Sequence, residues 1–444
     1  MKQAVFLSFL AATLTAADYR AGVGRVDITP EGPIWLSGYA VRKKPSEGVL
    51  QKLWAKALAL DDNKGGRVVI VTTDIIGLPR SVSDVVGARV EKQFGLARAR
   101  LLLNSSHTHT GPVIRPNLHL MYDLDEQNSR AVIVYTEKLT DQLVSVVGAA
   151  LSDLGPASVA YGSGEVGFAV NRRAFSPTGV KIGVNRSGNV DHSVPVLRVA
   201  KQDGSLRAVI FGYACHNTTL TGEHYQISGD YAGVAQAEIE KARPGATAMF
   251  LMLCGADQNP NPRGQLEHVH QHGGALAREV GRVLDGKLET VSGQIRAALQ
   301  LKDIPLAPHS RETFETMQSD SDVYKQRLAK EMLRMYDERR PIRTVLYPVQ
   351  ALRLGRHLAI VALGGEVVVD YGLWTKSQFP KEKVIVAGYS NDVMCYIPTA
   401  KILQEGGYEA VSSMVYYGQP GPFAPEVEEI IHASIRDVMK RVGF

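Results

Sequence analysis

Leu101-Leu-Leu-Asn-Ser-Ser-His107-Thr-His109-Thr-Gly-Pro112 sets an apolar run directly before a polar one that carries two histidines one residue apart. An apolar segment of this kind reads as a buried strand, and its abrupt polar ending matches the way α/β proteins place sites at the carboxyl ends of their strands. The pattern recurs along the chain. His216 follows the run 211–215; Asp257, Gln258 and Asn259 follow 250–254; Glu366 follows 361–365; and Tyr396 comes shortly after 384–387.

The intervening segments supply the rest of such a fold. Residues 55–60 and 67–72 are strand-like, and 196–199, 208–213 and 248–253 read as buried strands. Residues 81–94 and 132–154 carry apolar side chains at three- and four-residue spacing and read as helices. Alternating strands and helices predict an α/β protein with a mixed, layered β-sheet core flanked by helices. Residues 310–340 are charged and helical in pattern, an excursion over the surface, after which 351–354, 358–363 and 384–387 resume the strand pattern. The segment 425–442 reads as an amphipathic closing helix.

With 444 residues, 45% of them hydrophobic, the chain has ample material for a core. The 50 basic and 45 acidic residues are interspersed, so the net charge of +5 forms no basic block and implies no nucleic-acid partner. Residues 1–17 combine an early lysine, an apolar stretch and small residues before Asp18, the pattern of a signal peptide for a secreted or periplasmic protein. No later run reaches the roughly 18 apolar residues of a membrane span. Cys215, Cys254 and Cys395 are an odd set that cannot close a disulfide framework and reads as small buried hydrophobes. With no repeat and no low-complexity linker, residues 18–444 read as one domain.

In an extended segment, His107 and His109 would project to one face and, with His216 and Glu366, could offer nitrogen and oxygen ligands to one zinc ion. Zinc suits such donors, and an open coordination position can activate water. A His-x-His pair also suits two hydrogen-bonded structural histidines.

Several pieces occur in an order that resembles the catalytic domain of the neutral/alkaline non-lysosomal ceramidases, a family of zinc-dependent amidases. They are Gly22-Val-Gly-Arg-Val-Asp-Ile28, His107-Thr-His-Thr-Gly-Pro112, Asn171-Arg172, Ala214-Cys-His216 with Ser228-Gly-Asp230, Gly365-Glu366, and Tyr396 followed twelve positions later by Tyr408-Glu-Ala410. The resemblance implies zinc ligation by His107, His216, Glu366 and Tyr396. It makes His109 a neighbour of the metal or a substrate contact, Arg172 a substrate-contacting arginine, and Tyr408 the donor that steadies a developing oxyanion. A literal Asn185-Arg186-Ser187 offers a second place for the arginine motif.

Two departures bear on mechanism and substrate. The family's Gly-Asp-x-Ser-Pro-Asn motif is matched here by Asp257-Gln258-Asn259-Pro260-Asn261, so Asn259 stands where the family has serine. A carboxamide cannot form an acyl-enzyme by the activated-hydroxyl route, although its NH2 can orient a water or polarise a carbonyl. The family's additional β-sandwich domain is not expected after the closing helix, which supports hydrolysis more than it supports ceramide as the substrate.

The expectation is a secreted zinc hydrolase that cleaves an amide, or an ester, of a small or lipid-like N-acyl substrate with metal-activated water. His109 or Asp257 would take the proton. The competing readings are a non-catalytic lipid- or carbohydrate-binding protein with a retained metal, and a true ceramidase that uses water alone. Of the remaining signals, His268, His270 and His272 read as a solvated helix entry, Gly22-Val-Gly24 lacks the third glycine of a dinucleotide loop, and no Gly-x-Ser-x-Gly elbow occurs.

Overall fold

The computed structural model describes residues 18–444, so the signal-like segment 1–17 lies outside the described residues. The strands expected at 55–60 and 67–72 form as Trp54–Asp61 and Arg67–Thr73, paired antiparallel with Leu60 opposite Val68. Their period of two sends Ala55, Ala57, Ala59, Val69 and Val71 into one core and Leu58, Leu60, Val68 and Ile70 into another. Both faces are therefore buried, and the architecture must have layers on either side.

The large sheet runs in spatial order Thr247–Met252, Leu206–Tyr213, Ser193–Lys201, Gly155–Glu165, Tyr19–Asp27, Trp54–Asp61, Arg67–Thr73 and Leu101–Ser105, with Glu289–Val291 paired beside Gly155–Glu165. A second sheet orders Ile295–Pro305, Thr344–Leu354, Leu358–Leu363 and Lys383–Ala387. Leu352, Ile360 and Ile385 from the second sheet meet Leu58, Ile70, Leu102, Ile210 and Leu251 from the first in a shared core. Helices Glu126–Ser152, Asp230–Ala242 and Leu266–Asp285 cover the large sheet, while Val427–Val442 packs on the smaller one. The result is helix, sheet, sheet, helix.

Within these two sheets most neighbours are antiparallel, but three pairs are parallel: Arg67–Thr73 with Leu101–Ser105, Leu206–Tyr213 with Thr247–Met252, and Leu358–Leu363 with Lys383–Ala387. Parallel neighbours require a crossover, here supplied by helices Arg80–Phe94, Asp230–Ala242 and Val369–Gln378. Each pair thus presents two carboxyl ends on the same side.

Those ends are tied together by one side chain. Asn104, fully buried, accepts from the Met252 backbone N–H at 2.8 Å and donates to Met252 O at 3.2 Å, Gly388 O at 2.8 Å and Ser390 Oγ at 3.1 Å. It acts as an extra strand residue between the outermost strands of the large sheet and the end of Lys383–Ala387.

Several expectations are corrected in detail. The helix expected at 132–154 begins earlier, at Glu126, where Asp125 caps Asn128 N; its first turn is polar and carries no apolar period. The segment 310–340 divides into Arg311–Met317, opened by a Ser310 capping box, and Val323–Asp337, which bury Phe314, Leu328 and Met332 against Leu120. Strands Gly155–Glu165 and Ile295–Pro305 were not anticipated, because their glycines and charged residues break the apolar signal. Gly22 and Gly24 lie inside strand Tyr19–Asp27, where a Cβ would stand 2.1 Å from Ala150 O and 2.3 Å from Val146 O. They let the long helix approach the sheet and belong to no nucleotide loop. All three cysteines are free and buried, and among the described residues no helix is long and apolar enough to cross a membrane.

Replacing Asn104 with Leu removes the partner of the buried Met252 N, while Gly388 O keeps the Ser390 hydroxyl at 2.7 Å. An orphaned group costs about 1–3 kcal/mol, and a loss of that size is expected in urea unfolding. A shift within experimental error would show that the three strand ends hold together without the carboxamide.

Candidate metal centre

The strand ends deliver their side chains to one point. Leu101–Ser105 continues into Ser106, whose N–H reaches Thr73 O at 2.8 Å, and His107, whose N–H reaches Ile75 O at 2.9 Å. His107 has φ 63°, so the two histidines do not lie in the extended segment that the spacing suggests. They converge all the same, because the chain turns left-handed at His107 and brings His109 back, with the two Nε2 atoms 3.0 Å apart. A non-glycine residue in this region costs of order 1–3 kcal/mol, which the surrounding hydrogen bonds must hold.

His107 Nδ1 lies 2.6 Å from Ile76 O and His216 Nδ1 lies 2.8 Å from Gly255 O. A carbonyl only accepts, so both Nδ1 atoms carry the proton and both Nε2 atoms present a lone pair inward. Glu366 Oε2 sits 3.0 Å from His107 Nε2 and 3.1 Å from His216 Nε2, and the Tyr396 hydroxyl is 3.2 Å from His216 Nε2. The donor atoms of His107, His109 and His216 all lie within 4.8 Å of one another. His107, His216, Glu366 and Tyr396 are buried, whereas His109 is partly exposed, with Tyr39 edge-on at 4.9 Å.

Burial disfavours the charged forms of His216 and His109, while Glu366 stays ionised. Burial and the Arg172 guanidinium push His216 down to about 4, and burial beside His107 and His216 holds His109 well below its ordinary value. Burial alone would raise Glu366, but its contacts with His107 and His216 outweigh that and hold it well below the usual carboxylate range. Burial pushes the Tyr396 phenol well above its ordinary value, against the pull of Arg172. Imidazole nitrogens, a carboxylate and a phenol form a donor set suited to a divalent cation.

Arg172 enters from strand Ala169–Ser176. It donates to the Tyr396 hydroxyl at 3.0 Å and to Glu409 Oε1 at 2.8 Å, and its Nη1 lies 3.2 Å from His216 Nε2. The literal Asn185-Arg186-Ser187 lies at the end of the neighbouring strand with Arg186 exposed, so Arg172 and not Arg186 reaches the histidines. Asn259 is buried, and its Oδ1 is held weakly by Arg172 and by Thr218, each at 3.4 Å, leaving the NH2 as the end free to act.

Asp257 stands apart from the cluster's centre. Its oxygens accept from Val369 N at 2.8 Å and from Asn171 Nδ2 at 3.1 Å, and burial pushes its carboxyl up to about 7. Tyr408 opens a π-helical turn, Tyr408–Ser412, with its ring 5.3 Å from that of Tyr396 and the Arg172 guanidinium 5.6 Å from its centroid.

Sequence reasoning missed Tyr389, Glu409 and Tyr417. Tyr389, itself at φ 49°, lies tilted against His107 with ring centroids 4.4 Å apart, and Tyr417 donates to Glu366 Oε1. Glu409 joins Arg172 to Arg173, whose Nη1 it accepts at 2.7 Å. Only Glu409 had a local signal, lying inside the Tyr408-Glu-Ala410 piece. Among the histidines set aside, His270 is exposed but His272 is buried, bonded to Pro262 O at 2.7 Å and stacked on Phe168 at 4.5 Å, so the helix entry is solvated only in part.

The sequence and the fold both have counterparts among known proteins. The chain is 28% identical over 255 residues to the neutral ceramidase of Pseudomonas aeruginosa, covering 55% of this chain and 37% of that protein. It is 26% identical over 285 residues to the neutral ceramidase of Drosophila melanogaster, covering 58% of this chain and 39% of that protein. The matched region is thus well under half the length of these relatives. The crystal structure of the Pseudomonas aeruginosa enzyme superposes on 96% of this chain and 74% of its own with a TM-score of 0.73 at 19% identity. A ceramidase complexed with C2 does so with a TM-score of 0.74, also at 19% identity. Both share the fold. The family model for the N-terminal region of neutral/alkaline non-lysosomal ceramidases matches residues 19–277, more than half of the sequence, and the chain therefore belongs to that family.

Proposed function

We infer that the chain is a secreted zinc-dependent hydrolase that cleaves the N-acyl amide bond of a lipid-like substrate. The observation that carries this reading is the approach of His107 Nε2 and His216 Nε2 to within 3.1 Å of Glu366 Oε2, with Tyr396 at their edge. The proposed ligands are His107, His216, Glu366 and Tyr396. Zinc there would polarise the scissile carbonyl and lower the pKa of water towards ~7. Both sheets contribute ligands, which supports treating residues 18–444 as one hydrolase unit.

The remaining groups divide the work by position. Water is the nucleophile, because Asn259 offers no hydroxyl; its NH2 orients the water or the carbonyl. His109 accepts the proton; its Nδ1, buried beside Gly38, has no hydrogen-bond partner among the described residues. Asp257, with both oxygens engaged, serves instead to position Asn171 and the start of helix Val369–Gln378. Arg172, held charged because Tyr396 and Glu409 outweigh its burial, fixes a polar group of the substrate. Tyr408 donates to the oxyanion.

Metal analysis of purified protein, joined to a hydrolysis screen over N-acyl lipids, N-acyl amino acids, amino-sugar amides and simple esters, tests the reading. About one zinc per chain is expected. His107→Ala and His216→Ala should each lose stoichiometric zinc, and full occupancy in both would remove the basis of the ligand assignment.

Two tyrosines should separate metal holding from transition-state stabilisation. Tyr408→Phe is expected to keep zinc and to lower kcat and kcat/KM together by roughly 10²–10³-fold, the effect of removing one oxyanion donor. Tyr396→Phe should weaken metal retention itself. Normal turnover in Tyr408→Phe on the best substrate would return Tyr408 to a packing role.

A further inference from the structure

The three histidines at the candidate centre are not held alike. His107 and His216 each point Nδ1 at a backbone carbonyl, at 2.6 Å and 2.8 Å, whereas His109 Nδ1 is buried with no hydrogen-bond partner among the described residues. The His109 ring must therefore take its orientation from packing. What packs on it is the turn 37–42. Gly38, at φ 89°, lies so close that a Cβ there would stand 2.3 Å from His109 Nδ1, and Tyr39 sets its ring 4.9 Å away with the planes 60° apart.

Arg42 closes this turn onto the histidine. Its Nη1 donates to Ser37 O and to His109 O, each at 2.6 Å, and its Nη2 donates to His224 O at 3.1 Å. The guanidinium carbon lies 5.0 Å from the centroid of the Tyr39 ring. One rigid planar group thus ties together the turn, the backbone of His109 and the loop that carries His224. Tyr39 is anchored at its far end as well, since its hydroxyl donates to Leu220 O and accepts from Arg263 Nη2, both at 2.9 Å.

A side chain that only filled this place would be apolar. Arg42 is 4% exposed, burial pushes its guanidinium down to about 10, and no carboxylate pairs with it among the described residues. A buried cation without a counter-charge carries a desolvation penalty that Met or Leu would avoid. What the guanidinium supplies in return is two donors on one nitrogen, aimed at two carbonyls.

We propose that Arg42 is the positioning residue of His109: by drawing Ser37 O and His109 O onto one nitrogen, it clamps Gly38 and Tyr39 against the imidazole and holds His109 Nε2 at its place 3.0 Å from His107 Nε2. The inference rests on the reading of His109 as the proton acceptor, but the placement of the ring can be measured without turnover, so the two can fail separately.

The test compares Arg42→Met, Arg42→Lys, His109→Ala and the double variant Arg42→Met with His109→Ala on the best substrate of the hydrolysis screen. Arg42→Met should lower kcat by roughly 10–10²-fold, the effect of slightly misplacing a reacting group, with KM and zinc content close to those of the wild type. Arg42→Lys, which keeps donors, should recover part of that loss. In the His109→Ala background, Arg42→Met should cost less than about twofold, because a residue that acts through another is not additive with it. Independently of turnover, protein isotope-labelled at its histidine ring nitrogens reports the ring itself by NMR. The signal that His109→Ala removes should move or broaden in Arg42→Met, while the signals removed by His107→Ala and His216→Ala hold. Full additivity in the double variant, wild-type kcat in Arg42→Met, or an unmoved His109 signal would each overturn the proposal. Absence of hydrolysis in the wild type would sink the hydrolase reading and leave the ring signal to decide on Arg42. If circular dichroism shows that Arg42→Met does not fold, Arg42→Lys carries the same comparisons at a smaller loss.

Discussion

The Asn104 carboxamide is the constraint on which the site depends. It occupies a place where three strand ends meet with unpaired backbone groups, and a single amide satisfies Met252 N, Met252 O and Gly388 O together. Directly downstream of those three ends lie His107 and His109, Asp257 and Asn259, and Tyr389 and Tyr396. An amide is the side chain for this task because it donates and accepts in one plane, as the peptide group does. Leu would leave the buried Met252 N unpaired, and Asp would offer only acceptors to two carbonyls.

Around that clamp, the fold tolerates an unusual density of buried charge by pairing it locally. Glu409 lies between Arg172 and Arg173, and Glu366 lies between two imidazoles with the Tyr417 hydroxyl on its other oxygen. Removing one partner from such a group leaves a desolvated charge, which costs far more than the pair contributes. Arg172 links the two clusters, since the same guanidinium reaches Glu409, Tyr396 and His216. The positions of Glu409, Tyr396 and His216 are therefore coupled through one rigid planar group.

Much of the framework was legible because period-two burial and abrupt polar endings are local signals. The strands at 67–72, 208–213 and 248–253 and the closing helix emerged within a residue or two of their expected bounds. What escaped was whatever lacked local contrast: the glycine-bearing strand Gly155–Glu165, the polar first turn at Glu126, and Tyr389 and Tyr417, whose roles exist only through distant partners. The His-x-His pair shows the middle case. Its residues do converge with His216, but the extended conformation assumed for them was wrong, since His107 adopts a left-handed backbone.

By itself the sequence determined the residue types, their order, and the alternation that makes parallel strand pairs with polar carboxyl ends. The family match stops at residue 277, yet Glu366, Tyr396 and Tyr408 lie beyond it. Only the tertiary structure decided that Glu366 meets His107 and His216, that Tyr396 meets His216 and that Tyr408 lies beside Tyr396, because two separate sheets must pack before their strand ends face each other. It also decided that Arg172 and not Arg186 points to the histidines, and that Asp257 is engaged elsewhere. The physical reason is the same in each case: strand and helix signals arise from neighbours along the chain, whereas hydrogen-bond partners and desolvation are set by groups hundreds of residues away.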